Sequence, residues 1–291
     1  MATKPNHFLR LALLYFGAMA ALLAFSAGFG AVLPRHEALL ATQFVAVGGS
    51  ALYYSHLMGD ERADWPELRR IQMSVPQVVL LVVTVVILGI WANVLMGLVV
   101  ELVPPLQPVA EAYEKQIRQL LIDARGTDRV LGIVAICVAA PLCEEALFRG
   151  TILQEQRETK LATWSVVALN GLLFSAFHLN PISFLSLAVV GAFLAHLVVL
   201  TESLWPPILA HAVLNGSNGV LLPSLVPEAG QTEVTPVELF GGEWVLGAEA
   251  QLAIGIVGFG IVGGLLWWWL ASTFTTDSSD PASVSSEIGE R

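Results

Sequence analysis

The sequence contains few charged residues. Of its 291 residues, 13% are Asp, Glu, Lys or Arg, 55% are hydrophobic, and the mean hydropathy is +0.70. Soluble domains carry about 25% charged residues, so this composition excludes an ordinary soluble protein. We expect a multi-pass integral membrane protein that is surrounded by membrane lipid, and we predict the plasma (cell) membrane as its location.

Lysine and cysteine are also scarce. The chain has 14 Lys and Arg residues against 24 Asp and Glu, a net charge of −10. Because no basic patch is present to neutralise phosphates, nucleic-acid binding is excluded. The two cysteines, Cys137 and Cys143, lie six residues apart in one apolar run. Disulfide geometry is poor at that spacing, so two buried thiols are expected.

Long apolar runs dominate the chain. A helix needs about 20 apolar residues to cross a bilayer, and eight runs of about this length are present. They predict an all-α fold, a polytopic membrane helical bundle of about eight transmembrane helices. We expect one membrane domain over residues 1–274 and a disordered acidic tail over residues 275–291. The runs are Leu11–Leu33, Ala38–Met58, Val75–Val100, Val130–Leu153, Leu161–His178, Ile182–Thr201, Trp205–Pro223 and Ala248–Phe274.

Few ionisable or strongly polar residues lie within these runs. Each charged side chain at the bilayer centre costs about 2.5–3.5 kcal/mol on insertion scales, so each one needs a physical reason. His196, in the sixth run, has no polar companion at helical spacing and is interpreted as structural. The others are Glu144, Glu145 and Arg149 in the fourth run, His178 in the fifth, and His211 and Asn215 in the seventh.

The fourth run contains a carboxylate that helical geometry leaves unpaired. Glu145 and Arg149 are four residues apart and can form an ion pair on one face, whereas Glu144 is rotated by about 100° from its neighbour. A structural ion pair would explain Glu145 and Arg149 but not Glu144. An unpaired carboxylate in an apolar setting can serve as a general base or acid. Pro141, one turn earlier, should kink the helix.

The histidines complete a possible hydrolytic site. Phe174 precedes His178 by four residues, and Asn215 follows His211 by four. Taken alone, each pair is an ordinary feature of helix packing. Together with Glu144 they offer a base or metal ligands for a water, and donors for an oxyanion. Because His178 ends one run and His211 starts another, this site requires the sixth run to be tilted, short or re-entrant, or the boundaries to shift.

Three short motifs resemble those of the CPBP family, the CAAX-processing and bacteriocin-processing intramembrane proteases, which include type II CAAX prenyl endopeptidases. The EExxxR motif is Glu144–Arg149, the FxxxH motif is Phe174–His178, and the HxxxN motif is His211–Asn215. The resemblance covers about Val130–Asn218, which would be the catalytic core (about residues 130–218), between helices 4, 5 and 7.

The resemblance implies an intramembrane endopeptidase that hydrolyses peptide bonds of membrane-associated substrates. Glu144 and His178 would hold or activate the water, while His211 and Asn215 would support the oxyanion. Glu145, Arg149 and Phe174 would be supporting residues. In a zinc-dependent version Glu144, His178 and His211 would be the metal ligands, whereas a metal-free version needs only Glu144 as general base. The partner would be a peptide or protein substrate, with lipid-modified C-termini among the candidates.

Two other functions fit a membrane protein with buried polar residues. A transporter or proton relay would spread such residues over several depths, and here they cluster. A non-catalytic membrane scaffold or immunity-type protein would show degraded motifs, and here they are intact. Both observations favour catalysis.

Overall fold

The computed structural model describes residues 7–59, 73–221 and 248–277, and it is all-α. The helices are joined by short connections and by several π-helical turns. In chain order they are α1 (His7–Val32), α2 (Arg35–Thr42), α3 (Gly49–Met58), α4 (Val75–Leu102), α5 (Gln107–Ile117), α6 (Gly126–Val134), α7 (Ala140–Leu147), α8 (Leu153–Arg157), α9 (Thr163–Phe177), α10 (Phe184–Thr201), α11 (Trp205–Gly216) and α12 (Ala248–Asp277).

Five helical stretches in the described part of the chain are long and apolar enough to cross a membrane. They make the chain a multi-pass integral membrane protein, as its composition predicts. They are His7–Val32, Val75–Leu102, Gly126–Arg157, Phe184–Thr201 and Gly255–Phe274.

The other three predicted spans are helical but shorter or interrupted. Helix α9 has 15 residues, which gives a length of about 22 Å against roughly 30 Å of hydrocarbon. The predicted second and seventh spans contain the π-helical segments Gln43–Gly48 and Ser217–Leu221. A total of about eight transmembrane helices therefore stays a prediction, as does the single domain. Of the predicted tail, residues 278–291 lie outside the described residues, and α12 runs to Asp277.

Helices α6, α7 and α8 form one continuous stretch, Gly126–Arg157, here named the carboxylate helix. It contains two π-helical segments, Ala135–Ala139 before Pro141 and Phe148–Ile152 after the carboxylates. Proline cannot donate a backbone hydrogen bond, and a wider turn in which Ala140 N–H bonds to Ala135 O lies next to it. π turns, which often mark functional sites, therefore lie on both sides of Pro141, and the kink expected at that residue stays a prediction.

Helices α9 and α10 approach each other closely at two glycines. A Cβ on Gly171 would collide with the carbonyl oxygen of Ala188, and a Cβ on Gly191 would lie 2.9 Å from the Gly171 Cα and 3.0 Å from the Phe174 ring. Only glycine therefore permits this packing. The contact leaves the backbone of α10 beside the carboxylate helix.

Three clusters of buried apolar side chains pack the helices together, and two of them include residues of the carboxylate helix. One joins α1, α3 and α9 to Leu147 and Phe148, a second joins α4, α10, α11 and α12, and a third packs Leu153 against α9, α10 and α11. Outside these clusters, large apolar side chains such as Phe16 and Trp268 are exposed, as expected where lipid is the solvent.

Candidate active site

Glu144 faces both predicted histidines. Its Oε2 atom lies 3.7 Å from His178 Nε2 and 3.8 Å from His211 Nε2. Glu144 is 7% exposed and His211 4%, whereas the His178 side chain is 29% exposed. The three residues of the predicted water-activating site therefore lie together in a largely buried position, with His178 on its more open side.

The other ring nitrogen of each histidine has a fixed partner. His178 Nδ1 lies 2.8 Å from the Phe174 carbonyl oxygen, and His211 Nδ1 lies 2.8 Å from Glu145 Oε1. A carbonyl oxygen only accepts hydrogen bonds, so His178 Nδ1 carries the proton. The same holds for His211 when Glu145 is ionised. In these tautomers both Nε2 atoms direct a lone pair toward Glu144.

Glu145 and Arg149 form the predicted ion pair, and both are 0% exposed. Arg149 Nη1 donates to Glu145 Oε1 at 3.0 Å, and Nη2 donates to the Gly191 carbonyl oxygen at 2.8 Å. Because Glu145 Oε1 also accepts from His211 Nδ1, this carboxylate connects α7 to α11, and Arg149 extends the connection to α10. The ion pair thus orients His211 in addition to neutralising two buried charges.

Phe174 lies at the centre of these groups. Its ring centroid is 4.7 Å from that of His178 and 5.7 Å from that of His211, in edge-to-face arrangements. The Arg149 guanidinium carbon lies 4.5 Å from the same centroid, within cation–π range. The ring therefore holds both imidazoles and covers the arginine.

Asn215 contacts the carboxylate helix rather than Glu144. Its Nδ2 atom donates to the Ile136 carbonyl oxygen at 2.8 Å. In a regular helix that carbonyl would accept from Ala140, but Ala140 N–H bonds to Ala135 O, and the following residue, Pro141, has no N–H. Asn215 thus supplies the hydrogen bond that the π turn and the proline remove.

His178, directly after α9, and His211, in α11, reach the same carboxylate, Glu144. The directions of their side chains and the lengths of the helices explain how. Helix α10, between them, has 18 residues, or about 27 Å, which is long enough for a span but near the lower limit. The His178 ring turns back one helical turn to the Phe174 carbonyl. On the other side Arg149 extends from Gly191, in the middle of α10, to Glu145 and so toward His211.

Two polar residues, Gln43 at this site and Glu155 further along the carboxylate helix, were not identified from the sequence. Gln43, in the π turn after α2, places Nε2 3.4 Å from Glu144 Oε1, so Glu144 has an amide partner. Glu155 is 1% exposed and bonds to His7 Nδ1 at 2.8 Å; its burial was missed because the predicted span ended at Leu153. His196 packs between two tryptophan rings, consistent with its structural interpretation.

The donor atoms are of the types that zinc prefers. Neutral imidazole Nε2 atoms and a carboxylate bind zinc, and ligating histidines use their second nitrogen as these do. Within residues 7–59, 73–221 and 248–277, however, no group of three or more His, Cys, Asp or Glu side chains is arranged to hold a metal ion. The predicted zinc ligands therefore fit by chemistry, and a zinc site stays a prediction.

The fold and the buried cluster define a class of protein, a helical multi-pass membrane protein with a buried Glu side chain within 4 Å of two His side chains. Residues 126–217 match the model of the family Rce1-like, described as type II CAAX prenyl endopeptidase Rce1-like. The chain thus carries an Rce1-like domain of the CPBP family, a family of peptidases, and all three motifs lie within the match. Neither a curated protein nor a solved structure matches the chain.

Proposed function

We propose that this protein is an intramembrane endopeptidase that hydrolyses peptide bonds with a water activated by Glu144 and His178. The observation that carries the proposal is the position of Glu144 Oε2, 3.7 and 3.8 Å from the Nε2 atoms of His178 and His211. The family domain supports the same reaction class. A transporter or a scaffold gives no reason for these three groups to converge.

Glu144 Oε2 and the Nε2 atoms of His178 and His211 require a hydrogen-bond donor between them. An ionised carboxylate oxygen and two imidazole lone pairs are all acceptors, and 3.7 Å is too long for a direct hydrogen bond. A water can lie about 2.8 Å from both members of such a pair and donate to each. Glu144 Oε2 has no hydrogen-bond donor among the described residues, so this oxygen is the acceptor for that water.

In the proposed hydrolysis Glu144 takes one proton from the water, and the water oxygen bonds to the carbonyl carbon of the substrate. His178 Nε2 accepts the second hydrogen of the water and so orients it. The proton on Glu144 then moves to the amide nitrogen as the C–N bond breaks, which yields a carboxylic acid and an amine.

His211 and Asn215 are the proposed oxyanion donors. In its neutral form His211 Nε2 is an acceptor, and in the proposed mechanism it becomes a donor to the oxyanion only as the imidazolium, which Glu145 at Nδ1 would stabilise as the carboxylate of a catalytic triad does. Asn215 uses one amide hydrogen on Ile136 O and has a second one for the oxyanion. Arg149 and Phe174 act as positioning residues through Glu145 and the two rings.

Zinc dependence is a second form of the same proposal. Glu144, His178 and His211 would hold the ion, which would supply a more acidic water and polarise the substrate carbonyl. In either form the proposed substrates are membrane-associated peptides or proteins, including the prenylated C-termini that the family description names.

The experiment is a mass-spectrometric search for cleavage products in membranes that contain the wild-type chain or Glu144→Gln, with and without a chelator. Loss of the general base should slow cleavage by about 10²–10⁴-fold. Glu202→Gln is the matched control, because Glu202 is an exposed carboxylate paired with Arg157. If the chelator stops cleavage by the wild-type chain, the zinc-dependent form of the mechanism is favoured.

Alanine variants test the remaining members of the cluster. Glu144→Ala, His178→Ala and His211→Ala should each abolish cleavage while the protein still inserts and folds. Retained activity in all three would disprove the proposal. A biological role that survives them would favour a scaffold, and substrate flux in proteoliposomes would favour a transporter.

A further inference from the structure

Gln43 approaches the oxygen of Glu144 that the histidines do not face. Its Nε2 atom lies 3.4 Å from Glu144 Oε1, whereas the Nε2 atoms of His178 and His211 face Oε2. The bond is long, as the hydrogen bonds of active sites often are before a substrate binds. Gln43 precedes residues 126–217, so the matched domain and its three motifs do not include it.

Close packing of two segments fixes Gln43 beside this carboxylate. Gln43 begins the π-helical segment Gln43–Gly48, which packs against α7. A Cβ on Gly48 would lie 3.0 Å from the Sγ atom of Cys143, the residue before Glu144. Because glycine has no side chain, the two segments can approach at this point, and the backbone that carries Gln43 is held against the backbone that carries Glu144.

The amide group of Gln43 has a defined orientation. An ionised carboxylate only accepts hydrogen bonds, so Nε2 bonds to Glu144 and Oε1 is the other end of the amide. Oε1 is buried, and none of the described residues donates to it. A bond that merely joined two helices would need the donor alone, and an unsatisfied buried acceptor is unfavourable. Oε1 therefore requires a donor that comes with a bound molecule.

A peptide bond at Glu144 supplies such a donor in a suitable direction. The C=O and N–H groups of a trans peptide point in opposite directions. His211, a proposed oxyanion donor, faces Glu144 Oε2, whereas Gln43 bonds to Glu144 Oε1. A peptide bond that lies across this carboxylate can direct its carbonyl oxygen toward His211 and its N–H toward Gln43.

We propose that Gln43 is a further catalytic residue, whose Oε1 atom accepts a hydrogen bond from the N–H of the scissile peptide bond. The inference rests on the proposed function, because it needs a peptide bound beside Glu144. When the water oxygen bonds to the carbonyl carbon, the amide nitrogen regains its lone pair. The proton held by Glu144 adds to that lone pair, the C–N bond breaks, and its electron pair leaves with the nitrogen.

The original hydrogen stays on the nitrogen throughout this step and can remain bonded to Gln43. It becomes more positive as the nitrogen gains the second proton, and hydrogen bonds from charged donors are stronger than those from neutral ones. The bond to Gln43 therefore stabilises the transition state more than the bound substrate, which raises kcat.

The test replaces the N–H of the cleaved bond by an oxygen atom. It uses the full chain in detergent, one S-farnesylated fluorogenic peptide, and the depsipeptide that has an ester at the bond the wild type cleaves. Gln43→Met keeps the approximate size of the side chain but has no acceptor oxygen. It should lower kcat for the amide relative to the ester by about 10–100-fold, as for a hydrogen bond to a charged group, with a much smaller change in KM.

The ratio of the two substrates isolates the acceptor. Loss of the Nε2 contact with Glu144 slows both reactions and cancels in the ratio, whereas loss of Oε1 affects only the amide. Gln43→Glu is the conservative variant, because a carboxyl that carries one proton offers the same donor and acceptor as the amide. It should retain most of the wild-type ratio even where both rates fall. Products are quantified by mass spectrometry so that residual rates are measured.

Gln116→Met is the matched control, since Gln116 is an exposed glutamine of α5, and it should change neither rate. Thermal unfolding verifies the fold of each variant, and Gln43→Leu replaces Gln43→Met if that variant is unstable. Equal losses for amide and ester in Gln43→Met would mean that Gln43 only positions Glu144 or binds a water, and would overturn the inference. A wild type that cleaves neither substrate would instead refute the proposed function itself.

Discussion

Glu145→Gln tests whether the buried ion pair acts on His211 in addition to stabilising the fold. The substitution keeps the shape of the side chain but removes the charge that compensates Arg149, and both side chains are 0% exposed. Removing one partner of a buried ion pair costs about 3–5 kcal/mol. For a chain of this size that lowers Tm by roughly 6–15 °C. Activity should fall as well, because His211 loses the carboxylate at Nδ1.

The double variant Glu145→Gln/Arg149→Met separates the two effects. Replacing both charges removes the uncompensated cation, so stability should return to within about 1–3 kcal/mol of the wild type, the remainder being the cost of leaving the Gly191 carbonyl without its donor. Activity should not return, because His211 still lacks its carboxylate. The two properties therefore respond differently to the second substitution.

Thermal unfolding in detergent can be followed with a thiol-reactive fluorogenic maleimide, since Cys143 is a buried free thiol. Peptide cleavage is measured on the same samples. The reasoning would be refuted if Glu145→Gln unfolded at the wild-type temperature, or if the double variant regained activity together with stability. The first result would mean that the ion pair adds nothing to stability, and the second that Glu145 does not orient His211 through a charged contact.

Two further variants test the packing around the site. Asn215→Ala should destabilise the protein by about 1–3 kcal/mol in thermal unfolding, because the Ile136 carbonyl is left without a donor; an unchanged Tm would contradict that role. Gly191→Ala should cost about 1–3 kcal/mol by overpacking against Gly171 and should reduce cleavage by displacing the Phe174 ring, whereas Gly216→Ala, where a Cβ meets nothing within 4 Å, should change neither.

The sequence predicts the helices well where a long apolar run has a clear end. The third run was expected at Val75–Val100 and the helix is Val75–Leu102, because a serine and a proline mark its start. The sequence also indicated residues that the fold brings together, since ionisable groups in apolar runs are expensive and therefore conspicuous, while their catalytic roles stay predictions. The ion pair between Glu145 and Arg149 follows from the helical repeat alone.

Features that depend on tertiary contacts were not predictable. Gln43 is uncharged and carries little signal in an apolar run, so its contact with Glu144 required the packing of two distant helices. Asn215 was expected near the oxyanion, and its bond to Ile136 depends on a π turn that periodicity does not reveal. The π segments in the predicted second and seventh spans depend on tertiary contacts as well, because composition treats those helices as continuous.

The π turns on either side of the carboxylates change the angular phase of the carboxylate helix. Each wide turn holds one residue more than an α-helical turn, which offsets the side chains beyond it by about 100° around the axis. Glu144 and Glu145 lie between the segments Ala135–Ala139 and Phe148–Ile152. Their azimuth is thereby set independently of the exposed apolar stripe before them, which includes Val130, Val134 and Val138, and of the buried end of the helix after them. Deleting a single residue from either segment would rotate one of those two ends relative to the carboxylates while preserving almost every amino acid.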